Sequence, residues 1–197
     1  MSQFLRTDEA TEVFVTLSAL SDFLQRASND VYYWKWAFIA LHNCVQGAMV
    51  VALRRTDGFG PIQKHIETKW YKEYRRTGEP PIIEERLLRF MELYDKIKMS
   101  GTLQWTSVER YDPRGRQDRA MRKLNDIRND FIHFTPKGWS LEITDAPELF
   151  MEVLDVVAFL TKNCSSFWIP QEIPYESYER LLGRITEDLQ VLKAKYG

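Results

Sequence analysis

The feature that most restricts what this chain can fold into is the apolar run over residues 32–55, about six helical turns long, broken only at Asp57-Gly58-Phe59-Gly60-Pro61. Tyr33, Trp34, Phe38, Leu41, Val45, Met49 and Leu53 recur along it at helical spacing and form a face wide enough for several neighbours. A helix of this kind has to be surrounded, and the surroundings must be other helices. His42, Asn43 and Gln46 interrupt its most apolar part, so it reads as the spine of a bundle rather than a membrane span.

Further amphipathic segments supply the partners. The spacing predicts a helix from Thr7-Asp8-Glu9 to about Arg26, capped by a hydroxyl or carboxylate, with Val13, Phe14, Leu17, Leu20 and Phe23 facing inward. It also predicts helices over 61–76, 82–99 and 117–134, and a further one with Thr144 or Asp145 as cap, Pro147 in the first turn and Leu149, Phe150, Val153, Val156, Val157 and Leu160 on its buried face. A final helix over about 175–195 uses Leu181, Ile185, Leu189 and Leu192 to dock on the bundle or on a partner chain. Residues 137–143 alternate enough for a short extended or irregular segment, and Phe167, Trp168 and Ile169 lie in a linker. The expectation is an all-α bundle of six to seven helices in one domain over 1–197, with its core at about 8–165. A length of 197 residues and 44% hydrophobic content suffice for that core.

Cys44 and Cys164 fall inside apolar helical patterns, which reads as buried free thiols in a reducing compartment. The first nine residues carry no apolar signal core, so the expectation is a cytoplasmic protein without a membrane. No phosphate-binding glycine loop, zinc-protease or serine-hydrolase signature occurs.

The stretch that looks built for chemistry runs from Asn125 to His133. Leu124, Ile127, Phe131 and Ile132 make an apolar stripe, Arg128, Asn129 and His133 stand beside it, and Thr135-Pro136 stops the helix. Arg128 is a planar cation suited to phosphate, and histidine moves protons near neutral pH. Residues five apart lie roughly 140° apart around a helix, so the two flank a groove and need a second chain or a loosened last turn to converge. The pair fits metal-independent attack on a phosphodiester.

Two surfaces carry cationic surplus. Residues 61–76 hold Lys64, Lys69, Lys72, Arg75 and Arg76 against Glu67 and Glu73, interleaved with Trp70, Tyr71 and Tyr74, which could stack on bases. Residues 110–128 hold seven positive charges against Asp112, Asp118 and Asp126, a surplus of four that includes Arg116, Arg119, Arg122 and Lys123. Each reads either as a solvated helix face or as an RNA contact, and the second is favoured at Arg116, Arg119, Arg122 and Lys123 because they approach the Arg–His pair. The charges from Glu142 to Asp155 are all acidic and could balance that approach across the fold or a dimer. His42 and Asn43 have two open readings, internal hydrogen bonds that fix helix register or groups projecting into the same cleft.

The pattern Arg128-Asn129-x-x-x-His133 resembles the Arg-x4-6-His motif of the HEPN superfamily. The helix before it, the breaker after it, and Ala40-Leu41-His42-Asn43 inside the long helix also resemble a bacterial, uncharacterised subgroup of that family, over residues 31–164. The resemblance implies a helical bundle that dimerises so that a motif from each subunit faces a shared cleft. It further implies RNA cleavage without metal or cofactor, leaving a 2′,3′-cyclic phosphate. His133 would be acid or base, Arg128 the charge stabiliser, and Asn129 the orienting group. Toxin–antitoxin and phage-defence roles are common in the family, which would add an antitoxin-like protein partner. The other reading is a non-catalytic HEPN-like module that binds RNA, a nucleotide or a protein.

Overall fold

The computed structural model describes residues 3–196 apart from 6, 107, 134, 135, 137 and 165–174, together with the side chains of 175–177. The proposed linker aromatics Phe167, Trp168 and Ile169 lie outside the described residues. Among the described residues the fold is an all-α bundle of seven helices with no strand. They are α1 (Glu9–Ala27), α2 (Tyr33–Leu53), α3 (Lys64–Thr77), α4 (Phe90–Ile97), α5 (Gln117–Ile132), α6 (Ala146–Asn163) and α7 (Tyr175–Tyr196).

The spine is α2, which packs on α1, α4, α5 and α6 while α7 closes the far side against α1 and α6. It is long and apolar enough on its own to cross a membrane, because neither His42 nor Gln46 carries a full charge. What marks it as a core helix is its surroundings: 72% of its most apolar window is buried in the bundle. Gly47 permits the close approach of α1, since a Cβ there would sit 3.0 Å from a Val13 methyl. Trp34, Phe38 and Phe150 form an edge-to-face aromatic centre with ring separations of 4.8 to 6.1 Å.

Local signals act where expected. Asp8 caps α1 by accepting the Thr11 amide at 2.8 Å, and Asp145 precedes α6 with Pro147 in its first turn. Leu181, Ile185, Leu189 and Leu192 of α7 are buried on the bundle, and the Trp34 indole donates to the Tyr196 hydroxyl at 3.0 Å. Both cysteines are free and buried; burial pushes the Cys164 thiol up to about 11 and Cys44 to about 12, so neither is a ready nucleophile.

The helix expected over 82–99 is only α4, which begins at Phe90. Ahead of it the backbone is spent on a different partner: the Gln63 amide donates to Arg86 O at 2.9 Å and the Leu88 amide to Pro61 O at 2.9 Å, around an isolated Ile62–Leu87 bridge. Glu92 accepts the Arg89 amide at 2.7 Å and fixes the new start. The described residues of the segment after α5 are irregular, with Leu141 and Ile143 packed against the core.

The other departure is α3, which packs against no other helix of the described fold. It closes a separate small cluster with Phe59 and Ile62 through Ile66, Trp70 and Tyr71. Arg55 binds both Asp57 and Glu67 at 2.7 Å, Lys64 adds a second bond to Glu67 at 3.0 Å, and the Tyr71 hydroxyl donates to Asp57 at 2.7 Å. The guanidinium bonds hold the Asp57 carboxyl well below the usual carboxylate range. At Glu67 burial pushes upward, but Arg55 and Lys64 outweigh it and the net shift is down. Gly78 ends the helix in the left-handed conformation at φ 75°, which glycine adopts without a steric penalty. The aromatics proposed to stack on bases are thus committed to this cluster, with only Tyr74 substantially exposed.

Candidate functional site

The entry of α5 is fixed by Gln117, whose buried carboxamide accepts the Tyr111 hydroxyl at 2.5 Å and the Arg114 amide at 2.6 Å. From there Ala120, Met121, Leu124 and Ile127 face the core. Arg128 falls one turn beyond Leu124, so its side chain enters the same face and is half-buried. Its Nη1 donates to Asn129 Oδ1 at 3.1 Å, while its Nε is buried without a hydrogen-bond partner.

Across the interface stands His42 of α2, only 2% exposed. Its ring stacks on Phe90 of α4 at 4.1 Å, and its Nε2 lies 3.4 Å from Asn125 Oδ1, a long and weak hydrogen bond. Its Nδ1 has no partner. Burial, and after it the positive charge of Arg128, lowers the imidazole to about 4, so it is neutral at neutral pH. With Nε2 as the donor to Asn125, Nδ1 is a buried acceptor left unmet, and the Arg128 Nε–H is a buried donor left unmet. Three helices therefore meet around a polar group of His42, Asn125 and Arg128.

Of the two candidate residues on α2, only His42 lies inside the bundle. His42 is internal and locks α2 to α4 and α5, yet it also feels the Arg128 charge. Asn43 is exposed. His133 is the C-terminal cap of α5 at φ −98° and ψ 70°, its amide donating to Asn129 O at 2.8 Å and its side chain exposed. Among the described residues no hydrogen bond joins Arg128 to His133. Asn129 is the common element, gripping the guanidinium with its side chain and the last turn with its carbonyl.

Beside the helix end an apolar groove of about 560 Å³ is lined by Trp34, Trp36, Phe131, Trp139, Leu141 and Ile143. Phe131 meets Trp139 at 4.9 Å, and the Lys35 ammonium stands 5.3 Å from the Trp36 ring centre and 6.0 Å from that of Phe131.

The four basic residues of the approach do not form one patch. Arg116, Arg119 and Lys123 line a small groove shared with Asp145, Glu148 and Glu152, which brings three cations against three carboxylates. Arg116 pairs with Glu148 at 3.2 Å, and Lys193 of α7 reaches the same carboxylate at 2.9 Å. The acidic run of α6 balances the basic run of α5 within one chain. Arg122 is exposed. A larger cleft of about 880 Å³ at the start of α5, floored by Tyr111 and Phe159 and ringed by Arg110, Arg114, Asp155 and Lys162, was not foreseen.

Asn125 is the site residue that sequence reasoning left without a role. The signal was available, because it lies three residues before Arg128 and four before Asn129, spacings that place polar groups on one helix face. No group of three or more His, Cys, Asp or Glu side chains among the described residues is arranged to hold a metal ion. Comparisons with models of protein families, with curated proteins and with solved structures found no match.

Proposed function

We propose that this chain is a metal-independent endoribonuclease of HEPN type that acts in the cytoplasm as a homodimer. The observation that carries the reading is the end of α5: an exposed imidazole at the helix stop, five residues after a guanidinium held in place by Asn129. In the reaction, the His133 imidazole of one subunit takes the proton of a ribose 2′-hydroxyl. The 2′-oxygen attacks the adjacent phosphorus, the bond from phosphorus to the 5′-oxygen breaks, and an imidazolium from the other subunit protonates the leaving oxygen. The products are a 2′,3′-cyclic phosphate and a free 5′-hydroxyl. Arg128 offsets the charge that builds on the phosphoryl oxygens. A second subunit is part of the reading because the reaction uses two imidazoles, one as base and one as acid, and each chain offers a single histidine at this helix end.

The test is cleavage of a labelled single-stranded RNA in EDTA. Wild type cuts and His133→Ala, folded and of the same oligomeric state, loses about 10²-fold or more, the usual contribution of an acid–base group. Intact RNA with wild type, or equal cutting by the variant, sinks the enzyme reading.

A second reading, a non-catalytic module that binds RNA, a nucleotide or a protein, is favoured by one specific observation. Arg128 spends part of its fork inside the chain, on Asn129 and in the buried interface with His42. In that case RNA is bound but survives.

A further inference from the structure

The helix that contributes nothing to the bundle is the place to look for a second task. Its inner face is occupied by Ile66, Trp70 and Tyr71 against Phe59 and Ile62, and its buried carboxylate, Glu67, is held by Arg55 and Lys64. What faces outward is a stripe. His65, Lys69, Lys72 and Arg76 recur at spacings of four, three and four, and Arg75 flanks them, all exposed. Eleven residues at 1.5 Å each make the stripe about 16 Å long. One carboxylate, Glu73, stands among them; it bonds Arg76 and also feels Lys69 and Lys72. Lys69, Lys72 and Arg75 belong to no ion pair among the described residues.

We propose that α3 is a preformed arm whose basic stripe lies along the phosphate backbone of single-stranded RNA. Three arguments select this occupant. The unpaired charge is cationic and linear, which matches a polyanion and not a compact acidic ligand. The apolar face of α3 is already covered by its own cluster, so the helix lacks the exposed apolar stripe that a membrane-surface helix buries in lipid. The aromatic rings are packed on one another, Trp70 stacked on Tyr74 at 5.1 Å and edge-to-face with Phe59 at 5.3 Å, leaving cations rather than base platforms to make the contact. The contact is therefore with backbone and insensitive to sequence.

The arm is anchored through Arg55, two residues past Leu53, the end of α2, which lies eleven residues and about 16 Å along the helix axis beyond the level of His42. The proposal rests on the preceding reading for the identity of its partner but not for its chemistry, and it stands if cleavage fails.

The experiment measures binding, not cutting. Fluorescence anisotropy with a labelled 20-nucleotide RNA is recorded in EDTA from 50 to 300 mM salt, comparing His133→Ala with the same protein also carrying Lys69→Gln, Lys72→Gln and Arg75→Gln. Circular dichroism and Trp emission confirm that the arm is folded in both. Removing three phosphate contacts lowers the slope of log affinity against log salt by about two and the affinity at 100 mM salt by at least about tenfold. Unchanged slope and affinity overturn the proposal, and so does the absence of RNA binding by the parent. Equal or tighter binding of the parent to vesicles containing anionic phospholipid, lost in the triple variant, also overturns it in favour of a membrane surface.

Discussion

The two basic surfaces of this protein rank one way when charges are counted along the chain and the other way once the chain is folded. Residues 110–128 carry the larger surplus, four against three for 61–76. In the fold the first surface faces the carboxylates of α6, and Arg110 and Lys98 are bound to Asp112 and Asp118. On α3 the opposite happens: Glu67 turns inward to Arg55, and the cations are left outside. Net charge over a window is a local quantity, whereas the potential at a surface depends on whatever the fold brings opposite it. The two regions also differ in what holds them, a large apolar core against a small cluster tied by ions.

Acid separates these two modes, and the larger effect falls on the bundle. An unfolded histidine titrates near 6.5 and folded His42 near 4, so the native state carries its full stability above pH 6.5 and loses it as pH falls toward 4. The difference amounts to about 3 kcal/mol in full and about 2 kcal/mol by pH 5. Urea titrations at pH 7, 6 and 5 read it, and His42→Gln, whatever its own stability, is expected to lose the dependence between pH 6.5 and 5. A variant that keeps the same slope removes His42 as the cause. The arm responds later. Asp57 and Glu67 have lowered carboxyl pKa values, so their contribution is complete at and above the ordinary carboxylate range and is lost only below it. The expected order on acidification is bundle first, arm second.

A packing change breaks the comparison from the other side. Ile66→Ala removes the core of the arm and costs about 2 kcal/mol, at the low end for a buried isoleucine because so small a cluster can collapse. The loss is local, since α3 rests on no other helix. Limited proteolysis should open between Arg55 and Arg89 while the urea midpoint of the bundle stays within error. RNA affinity should fall several-fold although every cation is retained, because the stripe is no longer held straight. Joint melting of arm and bundle defeats the idea that they are separate units.

Much of the bundle could be read before folding because its causes are local or periodic. Asp8 and Pro147 act on their own turns, and the apolar positions of α1, α2, α6 and α7 repeat at the helix period. The false helix over 82–89 shows the limit. Ile83, Leu87 and Phe90 continue the period of α4, but a non-local backbone pairing with residues 61–63 engages the Arg86 carbonyl and the Leu88 amide instead. At the candidate site, the helix stop after Arg128 was legible. The stacking of His42 on Phe90 and the role of Asn125 were not, because they depend on which helices become neighbours. The pairing of Arg116 with Glu148 was visible only as two opposite charge runs with no rule for joining them.

The smallest expected effect is the one that sharpens the comparison most. Glu148 binds Arg116 and Lys193 from an exposed position, with Arg116 itself 74% exposed, so Glu148→Gln should leave the urea midpoint unchanged within error. It nevertheless shifts the groove of α5 and α6 from balance to a surplus of one positive charge. If RNA passes along that groove toward His133, the variant should bind a single-stranded RNA about two- to threefold more tightly at 50 mM salt, with the gain fading by 300 mM as screening shortens the reach of one charge. If the α3 stripe alone carries the backbone, Glu148→Gln should bind like wild type at every salt concentration. Anisotropy in the His133→Ala background distinguishes the two. Unchanged binding there, combined with a lost salt slope in the α3 variant, assigns the electrostatic work to the arm and leaves the α5 cations as partners of α6.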